Sequence, residues 1–598
     1  MEGGVTSLVA PQNCLFLTSF SGLRKRLLKE VPWEFVAALG AKAFQTPMWD
    51  FNVMLLCLTS SHVCSDHEIS GLNVAQIKEP REKANHLKND PVVLLMQKKQ
   101  LANPDAKVVI GELVEAAPLR LYAQSYQGLK TGDDGRLRAV FWELRKVTIP
   151  WRYFQSTVST STLYAGRESI LRYENRGADI ARNQGQGGWG KIGVAISQMA
   201  TLPATLFMGD TFDSNVAPIL PFKKELLPAL CAFCFSSDFV IEIRKLDQKV
   251  AVANATFGQV TFDFPRWQKV ATRKYPDGLP EPESDDPTQW LFHGRPDEST
   301  APLQVAVARL LGYRWPAELD GKMRLSERSR ILVKRCGELA KFADDDGIVC
   351  IPAVRGEEPA AEQLFRLLTA CNINPDIELD DWLRNGFFEE HCKLFHDRPF
   401  VWHIWDGRKR DGFHALVNYH KLCEGGGKGR RLLESLTYAY LGEWITRQKD
   451  DVKRGEGGAE DRLAAALELQ KRLVAILEGE PPFDIFVRWK PLAKQPIGWE
   501  PDINDGVRLN IRPFLTSVLP GGRTGAGILR YKPNIKWTKD RGKEPLRPKA
   551  EYPWFWSWDE KATGFLGGKT FDGNRWNDCH YTNKTKQMTK ETITHISR

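Results

Sequence analysis

Side chains able to do chemistry are densest from Phe387 to Leu422, which reads FFEEHCKLFHDRPFVWHIWDGRKRDGFHALVNYHKL. His391, His396, His403, His414 and His420 stand there among Asp397, Asp406 and Asp411. Imidazoles and carboxylates bind metals and move protons. The spacings match no ligand motif, however, and no pair of carboxylates with a lysine falls on a strand pattern as a hydrolytic site needs. The segment reads as strands and a glycine turn (Phe400 to Ile404, then Asp406-Gly407) built around hydrogen-bonded histidines, and no metal is expected. Cys231 and Cys234 form the one close cysteine pair; they lie in an apolar run and read as a buried helix face. Gly185 to Gly190 (GQGGWG) sits in a polar loop and reads as a turn, not as a phosphate cradle.

A second chemistry, recognition of a nucleic acid, is spread over three stretches. From Ala123 to Arg136, Gly128, Gly132 and Gly135 alternate with Gln127, Lys130, Thr131 and Asp133, which suit base edges or phosphates. From Arg172 to Lys191 stand Arg172, Tyr173, Asn175, Arg176, Arg182, Asn183, Gln184 and Gln186, ending in Lys191 itself. Arginine reads guanine, and asparagine or glutamine reads adenine, by paired hydrogen bonds. Both compositions also suit an exposed polar loop, and composition leaves the two readings open. The third stretch is C-terminal: from Gly521 to Arg598 there are 16 Lys or Arg against 8 Asp or Glu, nearly the whole of the net charge of +9. Lys532, Lys536, Trp537, Lys539, Arg541 and Lys543 precede Tyr552, Trp554, Phe555, Trp556 and Trp558. Such interleaved aromatics set the segment apart from a disordered tail and fit contact with a phosphate backbone. Arg508 and Arg512, after the turn Asn504-Asp505-Gly506 and on or beside a strand over Val507 to Ile511, join this set.

Those residues need elements to hold them. At the N-terminus, apolar strands at Leu8 to Ala10, Phe35 to Leu39 and Asn52 to Leu58 flank a helix from Ser19 to Leu28, capped by Ser19 or Ser21. Strands apolar on both faces ask for a covered, largely parallel sheet, and one helix cannot cover it, so further strands must come from elsewhere. Val92 to Met96 and Val108 to Ile110 read as strands joined by a turn at Asn103 to Asp105. Lys146 to Ile149 and Lys191 to Ser197 read as strands, and Lys223 to Val250 as helix and then strand over Phe239 to Arg244. Pro276 to Pro287 is a linker or surface loop. A helix over Pro302 to Leu311 opens a helical region that ends near Leu477 with an antiparallel pair, Arg431 to Gln448 and Ala459 to Leu477. Phe483 to Trp489 alternates like a strand. A chain of 598 residues suggests several domains. No segment reads as a secretion signal or a membrane span, and the scattered cysteines fit a reduced cytoplasmic protein.

Here the chain resembles a known family. The residues LVAPQNCLFLTSFSGLRKRLLKE, WEFVAALGAKAFQT and NVMLLCLT resemble the part of a large adenine-N6 DNA methyltransferase just downstream of its catalytic motif, as in type IIG-like enzymes and phage-defence methyltransferases of the BREX and DISARM kind. The resemblance continues through YAQSYQGLKTGDD, DDPTQWLFHG, RPFVWHIWDGRKRDGFHALVNYHKL, PPFDIFVRWKPLAKQPIGWEPDINDGVRLNIRPF and ILRYKPNIKWTKDRGKEP, and covers almost the whole chain. Members of this family carry a glycine-rich S-adenosylmethionine loop and an Asn-Pro-Pro-aromatic tetrapeptide that holds the extruded adenine. This chain has neither: its Asn-Pro pairs, Asn103-Pro104 and Asn374-Pro375, each continue into Asp. Phe44 is the nearest match to a late-motif aromatic that stacks on the flipped base.

The resemblance implies an α/β fold with mixed α+β parts. Residues 1–66 would be a truncated Rossmann-like methyltransferase sheet and 67–121 a connector. A target-recognition region over 122–300, a helical scaffold over 301–480 and a basic, aromatic-rich C-terminal module over 481–598 would follow. It further implies double-stranded DNA as a partner. A separate polypeptide would bring the catalytic half and S-adenosylmethionine, since this chain alone is not expected to bind the cofactor or methylate DNA. Two other readings stay open: a non-catalytic DNA-binding specificity protein descended from such an enzyme, and a truncated, inactive gene product.

Overall fold

The computed structural model describes residues 3–45, 52–103, 106–111, 117–247, 250–283, 294–480, 483, 498–516 and 527–535. Five strands open the chain: β1 (Val5–Pro11), β2 (Trp33–Gly40), β3 (Val53–Thr59), β4 (Glu68–Asn73) and β5 (Val93–Met96). They form one sheet in the order β1-β3-β2-β4-β5. The expected parallel sheet is corrected here, because only β2 and β4 run parallel. β2 and β3 follow each other in the chain and pair antiparallel, the arrangement common for consecutive neighbouring strands, whereas parallel neighbours need a long crossover. The helix Ser21–Glu30 starts at Phe20 without a side-chain cap, so neither Ser19 nor Ser21 plays the expected role. Its Arg24, wholly buried, donates instead to the carbonyls of Cys14 and Leu17 at 2.8 and 2.7 Å. Gln97–Ala102 is helical, and Val108 to Ile110 is not a strand; its Val108 and Val109 amides donate to the Leu15 carbonyl at 3.0 Å and to Gln100 at 2.8 Å.

Eight short strands follow: β6 (Ala123–Ser125), β7 (Arg138–Val140), β8 (Trp151–Gln155), β9 (Ser169–Arg172), β10 (Gly193–Ser197), β11 (Ala204–Phe207), β12 (Thr211–Phe212) and β13 (Val216–Pro221). They make two four-stranded sheets, β11-β10-β13-β6 and β12-β8-β9-β7. Helices Leu227–Cys234, Ser237–Leu246 and Phe264–Lys274 lie on the first sheet, where Val194, Ile196, Leu206 and Ile219 meet Phe233, Phe239, Phe262 and Trp267. Cys231 and Cys234 are buried on that face. Phe239 to Arg244, expected as a strand, is helical. The Ser236 hydroxyl accepts from the Phe239 amide at 3.3 Å, and Phe239 and Ile243, four apart, both enter the core, so capping and burial override β propensity. Lys146 to Ile149 is a turn, not a strand.

The remainder builds on a small sheet, β14 (Ile348–Cys350), β15 (Val401–Trp405) and β16 (His414–Asn418), in the order β14-β16-β15, wrapped by helices. The helix pair is present as Leu441–Lys453, after a π turn, and Ala459–Glu478. One core joins this region to both distant parts of the chain, taking in Phe141, Trp142 and Trp151 as well as Val507, Ile511 and Phe514. That joint explains another correction: Gly506–Asn510 is helical where a strand was expected. The buried Glu143 carboxylate accepts from the Val507 amide at 2.6 Å and the Val140 amide at 3.0 Å. An acid from 364 residues away thus caps the helix, and no local pattern announces it.

Candidate nucleic-acid interface

The histidine block is structural down to its protons. His414 Nε2 lies 2.7 Å from the Arg408 carbonyl, which only accepts, so the proton sits on Nε2 and Nδ1 accepts from His403 Nε2 at 2.9 Å. His391 Nε2 accepts from the Val401 amide at 3.2 Å, which leaves Nδ1–H to donate to Gln304 at 3.1 Å. His420 Nε2 donates to the Trp142 carbonyl at 2.7 Å. Burial holds all four neutral, pushing His391 and His414 down to about 3 and His420 to about 4. Asp406 accepts from the Arg408 and Phe413 amides at 3.0 and 2.8 Å, and burial raises it to about 6. Among the described residues no three of His, Cys, Asp and Glu converge as a metal site.

The two polar loops lie against each other, although the paired Lys130 and Arg182 are 52 residues apart in sequence. Lys130 and Arg182 exchange both backbone hydrogen bonds, each at 3.0 Å, and the Ala181 amide donates to the Thr131 carbonyl at 3.1 Å. Residues that exchange both bonds stand directly opposite with side chains on one face. Beneath them Leu129 and Ile180 are buried with Leu137, Phe154 and Leu171, so Lys130 and Arg182 face outward. Two glycines allow the contact. Gly128 leaves no room for a Cβ against the Asp213 carbonyl, and Gly185, at φ +90°, would put one 2.7 Å from the Phe212 ring.

The other expected readers divide by role. Gln127 donates to the Ser214 carbonyl, Thr131 to Asp134 and Gln184 to the Gly128 carbonyl at 2.8 Å, so these side chains hold the loops. Asn183 donates to the Arg176 carbonyl at 2.6 Å and accepts from Gln186 at 2.6 Å. Arg172 pairs with Glu174 at 3.0 Å. Arg176, Arg182 and Lys130 are exposed with no acidic partner among the described residues, as is Lys191, whose ammonium lies 5.7 Å from the Tyr126 ring. Arg152 was not singled out in the sequence. It is exposed on β8 with its guanidinium 4.8 Å over Tyr173 and 5.6 Å over Trp189; the signal available was an arginine between aromatic strand residues. The nearby acids are engaged by other arginines: Asp179 and Asp133 by Arg136, Asp134 and Asp213 by Arg138. Five exposed cations, Lys130, Arg152, Arg176, Arg182 and Lys191, therefore have no acidic partner among the described residues, and the backbone pairing sets Lys130 and Arg182 on one face.

The C-terminal candidates separate from this face. Arg508 is buried and donates to the Arg138 carbonyl at the start of β7. Arg512 is half-buried and Lys532 exposed. Lys536, Trp537, Lys539, Arg541 and Lys543 lie outside the described residues. Phe44 lies in the loop after β2 and is 43% exposed. A Cβ on Gly40 at the end of β2 would fall 2.6 Å from the Ala75 carbonyl, so that space is filled by protein.

No family model matches the chain, and no curated protein does. Among solved structures it is similar to the DrdV–DNA complex (12% identity, TM-score 0.27, 47% of this chain and 39% of that one). It is also similar to a nuclease-deletion mutant of the Type ISP restriction-modification enzyme LlaGI with a DNA substrate mimic (11%, 0.28, 46% and 35%). A third is the Type IIL restriction-modification enzyme MmeI with DNA (12%, 0.28, 62% and 49%). The chain thus spans between about a third and a half of each of these proteins.

Proposed function

We propose that this chain is the DNA-recognition half of a site-specific adenine-N6 DNA methyltransferase of a restriction-modification or phage-defence system. Another polypeptide would complete it, bringing the S-adenosylmethionine loop and the catalytic tetrapeptide. The observation that carries the DNA part is the Lys130–Arg182 pair. Two like charges directly opposite each other are unfavourable for folding, and the surrounding acids are all engaged elsewhere. A face built this way serves an anion, and with Arg152, Arg176 and Lys191 it is broad enough for a phosphate backbone.

The methyltransferase part is supported by the resemblance and by β1. This strand pairs with β3 along its whole length and, among the described residues, with nothing on its other edge. Val5, Leu8 and Val9 are 66, 44 and 61% exposed, and they point to both faces of the strand. Edge strands of self-sufficient proteins carry lysines, prolines or bulges, whereas β1 is regular and uncharged up to Pro11. It is built to be covered by a further strand and by layers on both faces. The second reading, a specificity protein without catalysis, is favoured by the absence of both catalytic motifs. Labelled methyl transfer from S-adenosylmethionine to duplex DNA separates the two. Transfer when the chain is mixed with the polypeptide encoded upstream, and not by either alone, supports the split enzyme. Duplex binding without transfer in any mixture leaves the specificity protein.

A further inference from the structure

The turn from Thr148 to Trp151 lifts Ile149 92% into solvent, the highest exposure of any large apolar side chain among the described residues. Its mounting is rigid. The Trp151 amide closes the turn on the Thr148 carbonyl at 2.8 Å, and the Tyr173 amide donates to the Pro150 carbonyl at 2.9 Å. Trp151 itself is buried in the main core, with its indole N–H on Asn504 at 3.0 Å. The tip is also flanked by charge. In RKVTIPWR, Lys146 and Arg152 are exposed and have no acidic partner among the described residues, while Arg145 lines a pocket with Asp345 and Asp346. Tyr173, which anchors the turn, carries the Arg152 guanidinium and begins the loop leading to Arg176 and Arg182. An apolar point between cations therefore stands at the margin of the cationic face.

We propose that Ile149 is a wedge that enters a base step of double-stranded DNA held on that face, an assignment that rests on the duplex-binding reading above. Cations on both sides of the tip hold the phosphates of the step while the isoleucine unstacks its base pairs, which kinks and untwists the duplex. Such a deformation depends on the sequence being deformed, so Ile149 would add to site choice without a hydrogen bond to any base.

The test uses the full chain and a closed circular plasmid, which presents many sequences at once. The plasmid is relaxed by a topoisomerase with protein bound and then deproteinised; untwisting at each wedge leaves a linking deficit. Wild type is expected to leave a deficit that grows with bound protein. Ile149→Ala should bind fragments of the same plasmid within about an order of magnitude of wild type, yet leave a deficit several-fold smaller. Ile149→Leu should restore it. An Ile149→Ala deficit equal to that of wild type overturns the wedge. Wild type that binds duplex and leaves no deficit also overturns it, with the duplex reading intact. Wild type that binds no duplex removes both.

Discussion

Lys130 and Arg182 exchange backbone hydrogen bonds at 3.0 Å in both directions, which sets two unneutralised cations side by side across a two-residue ladder. The arrangement works against folding and in favour of an anion. Replacing either cation with alanine should leave thermal stability unchanged or raise it by a few tenths of a kcal/mol. The same change should weaken duplex binding and lower the slope of log affinity against log salt by about one. Thermal melts and salt-titrated binding on one preparation check both halves.

Arg508 should behave in the opposite way. It is buried and braces the Arg138 carbonyl from the far end of the chain, so Arg508→Ala should destabilise by about 1–3 kcal/mol through the orphaned acceptor. The salt slope of the folded fraction should stay that of wild type. A lowered slope with unchanged stability would return Arg508 to the DNA face.

Acid should unfold the chain through its buried histidines. His391, His414 and His420 have folded values of about 3, 3 and 4, below an ordinary value near 6.5, because burial disfavours their charged forms. Their contribution is present above pH 6.5 and is lost as pH falls toward the folded values. Each lowers stability by up to about 1.4 kcal/mol per pH unit in that window. Asp406, raised to about 6, has the reverse sign: its contribution is complete below about pH 4 and is lost as pH rises through 6. One carboxyl offsets only part of several histidines, so denaturant midpoints should fall steeply from pH 7 to pH 5. A flat profile would contradict the neutral, hydrogen-bonded assignment.

The bare edge of β1 gives a prediction about assembly. Val9, 61% exposed, can become lysine with a stability change within about 0.5 kcal/mol. Val9→Lys should make the isolated chain less prone to aggregate, since a charged edge resists pairing, and should abolish methyl transfer reconstituted with the partner polypeptide. Light scattering and the transfer assay read the two effects. Full activity of Val9→Lys in the mixture would place the partner elsewhere.

The sequence revealed most where burial and composition act locally. The periodic segments Phe35 to Leu39 and Ala459 to Leu477 are a strand and a helix as expected, and the cysteine pair sits on a buried helix face. The histidine block was legible as structure because no ligand spacing was present. What escaped was set by distant residues. Sheet order depends on where β2 turns back, Phe239 to Arg244 obeys the core above it, and the helix at Gly506 is capped by Glu143. In the interface, the cations Lys130, Arg176, Arg182 and Lys191 were visible as residue types. That Gln127, Thr131 and Gln184 face inward to hold the loops could not be read, because a polar side chain looks the same whether it holds a loop or a base.

The most direct measurement is binding of the full chain to mixed-sequence duplex DNA across a salt series, for wild type and for the Lys130→Glu, Arg182→Glu double variant. Wild-type affinity should fall steeply with salt. The double variant, stable and folded, should lose at least about two from the slope together with most of its affinity at low salt. Identical isotherms for the two proteins would contradict the claim that this face meets DNA.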